Sequence, residues 1–135
     1  MKPSDHLVEG HFRLSTLRPL LGQPISVIFE YRNSSDGPVT FSIGNSREDG
    51  FRFNTTAPGV KALNPYNEMG GIAPIIHLAP GQSGRQEIRL DEYLLFTAPG
   101  EHIIDAELDL AVRDEQSVII GREKIRDRFV VSIVT

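Results

Sequence analysis

Between Ile104 and Val112 an apolar residue stands at every second position: Ile104, Ala106, Leu108, Leu110 and Val112, separated by Asp105, Glu107, Asp109 and Ala111. Side chains alternate between the two faces of a strand but recur every 3.6 residues in a helix, so this spacing specifies a β-strand with one face buried and one in water. The other apolar clusters obey the same rule. Phe12 and Leu14 mark a first strand, and Ile25, Val27, Phe29 and Tyr31 a second, with Ser26, Glu30 and Arg32 on the opposite face. Val39, Phe41 and Ile43 follow, then Phe51 with Phe53, Ile76 with Leu78, Ile88 with Leu90, and finally Phe129, Val131 and Ile133.

Turn chemistry separates these runs. Asn33-Ser34-Ser35-Asp36-Gly37-Pro38, Asp49-Gly50, Pro80-Gly81 and Pro99-Gly100 supply the side-chain acceptors and glycines that tight reversals require. No segment holds a helical period beyond a turn or two. The one helical signal is residues 90–96, where Asp91 is placed to cap a short turn and Tyr93, Leu94, Leu95 and Phe96 to plug one end of the fold. Short strands without amphipathic helices between them exclude a βαβ architecture and predict an all-β, antiparallel two-sheet sandwich of roughly seven to nine strands. Val60, Ala62 and Leu63 offer one further short strand inside the long connection at residues 56–74.

A chain of 135 residues fits a single domain, residues 1–135, with residues 1–9 read as a flexible lead-in. It contains no cysteine, so neither a disulfide framework nor a thiolate metal site holds it together. A net charge of −4 argues against nucleic acid, whose phosphates call for a surplus of Lys and Arg on one face. No stretch approaches the roughly twenty apolar residues of a membrane helix, and the first residues lack a signal-peptide core, so no membrane insertion is expected. The compartment stays open between the cytoplasm and export after removal of a leader.

Several motifs in order carry a resemblance. Gly22-Gln23-Pro24-Ile25, the Asn33-Ser34-Ser35 turn with Pro38-Val39, Leu78-Ala79-Pro80-Gly81-Gln82-Ser83 and the late Pro99-Gly100 resemble the recurring pattern of bacterial immunoglobulin-like domains. The same order is similar to that of the intracellular proteinase inhibitor family of bacilli and of the amino-terminal domains of deuterolysin-type metallopeptidases. The resemblance spans roughly residues 12–112 and implies an immunoglobulin-like sandwich; its motifs are turns, which specify fold far better than function. Such domains commonly place Tyr two residues after this Pro-Gly, where the hydroxyl bonds back to the preceding crossover. Here the position holds His102. Either an imidazole nitrogen replaces the hydroxyl or the corner is missing.

Candidate chemistry is sparse. The four histidines, His6, His11, His77 and His102, show no ligand spacing, so no metal site is read from them. Asp105, Glu107 and Asp109 form a carboxylate row that could hold calcium, but Lys124, Arg126 and Arg128 share one face of a later run, and a hairpin between the two would make a salt ladder. There is no Gly-x-Ser-x-Gly elbow and no phosphate cradle at Gly70-Gly71 or Gly81-Gln82-Ser83-Gly84, so no catalytic residue and no cofactor are assigned. Asn33-Ser34-Ser35 and Asn54-Thr55-Thr56 match a glycosylation pattern but read as turn residues.

The expectation is therefore a non-catalytic accessory module that binds another protein or a neighbouring domain. The alternatives are a proteinase inhibitor of the bacillus intracellular type and a small enzyme whose site is unrecognised. Recognition is expected in residues 56–74, because long connections without regular structure are uncommon in compact domains and are often functional. Asn64, Pro65, Tyr66 and Asn67 are its candidate contacts, with Tyr66 as the aromatic anchor.

Overall fold

The alternation is realised as two antiparallel sheets facing each other, in a computed structural model that describes residues 6–44, 50–56, 58–63 and 74–135. The strands are β1 (Val8–Leu14), β2 (Ser26–Asn33), β3 (Val39–Ser42), β4 (Arg52–Asn54), β5 (Val60–Ala62), β6 (Ile75–Leu78), β7 (Ser83–Arg89), β8 (Leu94–Phe96), β9 (Gly100–Arg113) and β10 (Ile119–Ile133), with a 3-10 turn at Leu90–Glu92 before β8. One sheet runs β1-β2-β7. The other runs β10-β9-β3-β6, with β4 also paired to β9. The first, second and seventh strands thus face the third, ninth and tenth, which is the ABE-against-GFC division of an immunoglobulin-like sandwich.

The long hairpin β9–β10 is the frame. Its register sets Lys124 opposite Asp109, Arg126 opposite Glu107 and Arg128 opposite Asp105, while Ile104, Ala106, Leu108, Leu110 and Val112 are buried on the other face. The turn closes on Asp114, whose carboxylate accepts the N–H groups of Gln116 at 2.9 Å and Val118 at 3.0 Å. Ser117 takes the left-handed conformation that this tight turn demands, at φ 64°.

Rings from both sheets fill the space between. Phe12 and Phe29 lie 4.8 Å apart, Phe29 and Phe51 5.5 Å, and Phe12 and Phe53 5.8 Å. The contacts link β1 and β2 of one sheet to the β4 region of the other, and edge-to-face rings at such distances add to the burial itself. At Gly10 the backbone of β1 comes so near Phe29 that a Cβ would sit 2.6 Å from its ring. Of the residues read as inward-facing, Phe129 alone among Val27, Phe29, Phe41, Ile88, Ile104, Ala106, Leu108, Leu110 and Val131 is only half-buried.

Three expectations are amended and one is met. Val8 and Glu9 fall in β1, and Val8 is buried, so the ordered fold starts inside the expected lead-in of residues 1–9. The two facing sheets together hold eight strands, within the expected seven to nine, and the three-residue β5 and β8 form a small sheet of their own. Asp91 does not cap the turn: Arg89 occupies the cap position, and Asp91 instead accepts the Ile25 N–H at 3.0 Å. Leu94 and Phe96 are buried and Leu95 is exposed, a strand alternation and not a helical plug.

Candidate functional site

The outer face of the larger sheet is uneven, and residue size explains why. Toward the end that holds Asp105 and Glu107, long charged side chains cover the strands. Toward the β9–β10 turn, the outward positions of the two central strands are small: Thr40 and Ser42 on β3 and Ala111 on β9. Larger side chains rise on both sides, Ile75 and His77 from β6 and Arg113 and Arg122 from β9 and β10. The result is an open cleft of about 790 Å³, within the range of ligand sites.

The register shows how it crosses the sheet. Arg122 pairs with Ala111, Arg113 with Thr40, Thr40 with His77, and Ser42 with Ile75. Two neighbouring rows therefore run from a cationic end on β9 and β10 to an imidazole and an apolar side chain on β6. Among the described residues, the register pair that joins β3 to β9 is Thr40 with Arg113.

Charge is distributed unequally between the cleft and the face beside it. Arg52 donates to Glu107 at 2.8 Å and Asp109 at 2.5 Å, Lys124 lies 3.2 Å from Glu107, and Arg128 donates to Asp105 at 2.8 Å. That bond to Asp105 raises the pKa of the Arg128 guanidinium. The carboxylate row is thus a salt ladder, as the hairpin reading anticipated, with Arg52 from β4 as a cation that reading did not include. Within the cleft, Arg113 donates to the Ser117 carbonyl at 2.8 Å, and among the described residues neither Arg113 nor Arg122 has a carboxylate partner.

The sequence-assigned candidates are scattered. Asn64, Pro65, Tyr66 and Asn67 lie outside the described residues. His6 is 3.1 Å from Glu123, His11 is 3.4 Å from Glu30, and His77 reaches the cleft. His102 is buried near the start of β9, where its Nε2 is 2.9 Å from the Ala98 carbonyl oxygen and its ring packs on Phe96. An imidazole therefore makes the corner contact that a tyrosine hydroxyl makes elsewhere. Asn33 is fully buried with its amide engaged, whereas Asn54 is exposed on β4. Among the described residues no group of three or more His, Asp or Glu converges on a metal position, and no helix is long and apolar enough to cross a membrane.

The cleft was not legible beforehand. Thr40, Ser42 and Ala111 are unremarkable polar-face residues in the sequence, and only the pairing of four strands brings them between Arg122 and Ile75. The available signal was the small Ala111 interrupting an otherwise charged outer row.

No family model matches the chain, and no curated protein matches it. Among solved structures it is similar to one described as the crystal structure of BslA, a bacterial hydrophobin, at 10% identity and a TM-score of 0.43, with 96% of this chain and 97% of that chain covered. A likeness at that level adds nothing to what this chain's own residues argue.

Proposed function

We propose that the domain is a non-catalytic binding module, and that it holds a segment of a protein partner or a neighbouring domain in the cleft on the outer face of the larger sheet. One observation carries this reading. Cations elsewhere on that face are paired across strands, whereas among the described residues the two guanidiniums at the cleft make no ion pair. A face meant only for water gains nothing from an unfilled depression flanked by unpaired charge.

The arrangement of hydroxyl, imidazole and carboxylate favours binding over catalysis. Thr40 and His77 are cross-strand neighbours, yet no hydrogen bond joins them, and Asp109 is held by Arg52. A nucleophile needs a base within reach and a group that orients the base, and these three are not connected in that way.

The test is quantitative capture from a lysate of the source organism by the immobilised domain and by an Ala111→Arg variant, which fills the floor of the cleft. The expected result is a defined protein retained by the wild type and lost by the variant while the variant remains folded. Equal retention by both would move the site elsewhere, and no retention above bare matrix would remove the reading. The resemblance to bacillus proteinase inhibitors adds one arm: a protease slowed at stoichiometric concentration would move the assignment to that class.

A further inference from the structure

We infer that the cleft recognises a short extended peptide segment bearing one carboxylate, which Arg122 and Arg113 pair, with an apolar side chain about four residues away against Ile75. The inference rests on the binding-module reading and supplies its ligand chemistry.

The dimensions come first. Arg122, Ala111, Ser42 and Ile75 lie on four adjacent strands, and strands about 4.8 Å apart put the outer two columns about 14 Å apart. An extended chain rises about 3.3 Å per residue, so four to five residues span that distance. A strand-like segment laid across the strands matches that span. The hydroxyls of Thr40 and Ser42 can exchange hydrogen bonds with its backbone.

The ends differ in chemistry. Arg122 and Arg113 are exposed guanidiniums on neighbouring strands, and guanidinium pairs with carboxylate through two parallel N–H groups. At the opposite end Ile75 is 65% exposed on the edge strand and offers an apolar contact. The imidazole of His77 lines the cleft beside it as a polar neighbour.

The lining also limits the ligand. Asp109, Asp114 and Glu115 border the same cleft, and the chain carries a net charge of −4. A polyanion such as nucleic acid would meet these carboxylates, whereas a single carboxylate placed between the two guanidiniums does not. A side-chain carboxylate and a chain terminus share this chemistry, and the probes below separate them.

The experiment is an amide NMR titration of the whole 135-residue chain with four probes. They are acetyl-Glu-Ser-Thr-Ser-Leu-amide, acetyl-Leu-Ser-Thr-Ser-Ala with a free terminus, acetyl-Gln-Ser-Thr-Ser-Leu-amide and acetate; the four-residue spacing keeps both end groups on one face of an extended chain. At least one carboxylate peptide should shift the resonances of Thr40, Ala111, Arg113 and Arg122 in a saturable way, and the tighter of the two identifies the carboxylate's source. The glutamine peptide should bind about tenfold more weakly, and Arg122→Gln, an exposed substitution that leaves the core untouched, should weaken the carboxylate peptide by about tenfold.

Equal binding of the glutamine peptide overturns the proposal, as does acetate producing the same shifts at the same midpoint, which marks a simple anion site. So does the absence of any shift at these residues up to about 5 mM peptide. If the peptides fail while the wild type still captures a protein that Ala111→Arg loses, the carboxylate chemistry is wrong and the binding module stands. If capture fails as well, both are wrong.

Discussion

Asp127 in β10 accepts the backbone N–H of Phe12 in β1 at 2.7 Å, a hydrogen bond that joins the edges of two different sheets. Four residues earlier on the same face, the buried carboxylate of Glu123 accepts the N–H of Leu7. Because β2 occupies the other edge of β1, the Phe12 N–H faces away from its own sheet, and the Asp127 carboxylate of β10 supplies the acceptor that a strand would otherwise provide, while Glu123 does the same for Leu7 just ahead of β1. The two sheets are thereby latched along one side by side chains.

Removing that acceptor has a definite expected cost. Asp127→Ala leaves the Phe12 N–H without its partner, and the loss should be about 1–3 kcal/mol in urea unfolding, with the slope against denaturant unchanged. Asp127→Asn retains an acceptor oxygen and should lose less. A change below about 0.5 kcal/mol in the alanine variant would show that water replaces the carboxylate and that the latch is idle.

Asn33 plays a comparable part on the opposite side of β2. Its Nδ2 donates to the carbonyls of Gly37 at 2.8 Å and Leu78 at 3.0 Å, and its Oδ1 accepts the N–H of Ser35 at 2.9 Å and its hydroxyl at 2.7 Å. Both ends of the amide are occupied, and the residue is fully buried, so it ties β2 to the following turn and to the end of β6. Asn33→Leu strands the Leu78 carbonyl and the Ser35 N–H, while the Ser35 hydroxyl still reaches the Gly37 carbonyl at 2.8 Å, and the expected loss is about 2–4 kcal/mol by thermal or urea unfolding. Asn33→Asp faces the two carbonyl oxygens with a third acceptor and should be no better. For the same reason the folded chain should resist glycosylation at Asn33, which mass spectrometry after exposure to a glycosylating extract would check.

These cross-sheet ties mark the boundary of what the sequence disclosed. The period-two runs identified the core face of β9 down to single residues, because alternation is a local property and Asp105, Glu107 and Asp109 could sit only on the other side. The register of the β9–β10 hairpin was legible for the same reason: opposite charges on matching positions pointed to it. Asp127 and Glu123 gave no such signal, since a carboxylate that accepts a backbone N–H from a strand more than a hundred residues away looks like any surface acid. The Asp91 expectation failed through a similar competition, in which a side chain with cap geometry in sequence was taken by the Ile25 N–H of another element. The cleft depends on four strands meeting in register, which no local pattern contains.

Asp91 also yields a pH prediction. Its pKa is lowered, first by the hydrogen bond from the Arg89 guanidinium and also by the Ile25 N–H, against a partial offset from burial. A carboxyl whose folded pKa lies below its unfolded value contributes stability above the unfolded pKa and loses it as pH falls through the folded pKa. Asp91→Asn keeps an acceptor for Ile25 but loses the charge, so it should melt below the wild type at neutral pH, by about 0.5–1 kcal/mol for so exposed a pair. The two melting curves should draw together as the pH falls below about 4 and on through the lowered folded pKa. A gap that persists unchanged at about pH 2 would show that the charge of Asp91 is irrelevant to folding.

The last prediction concerns the ladder, whose members differ in exposure. Arg128 and Asp105 are more than half exposed, and such pairs contribute little in water. Arg52 is different: its side chain is 25% exposed, its Nη2 bridges Glu107 and Asp109, and its Nε is buried without a hydrogen-bond partner. Replacing Asp105, Glu107 and Asp109 together by Asn, Gln and Asn should therefore cost about 1–2 kcal/mol, nearly all of it through the orphaned guanidinium. In an Arg52→Met background the same three substitutions should cost less than about 0.5 kcal/mol, because the charge they abandon is already gone. Calcium at about 5 mM should leave the melting temperature of the wild type unchanged, since these carboxylates are committed to cations of the protein itself. A calcium-dependent rise that disappears in the triple variant would replace the ladder with a metal site, and full additivity in the Arg52→Met background would show that Arg52 is not the group that depends on them.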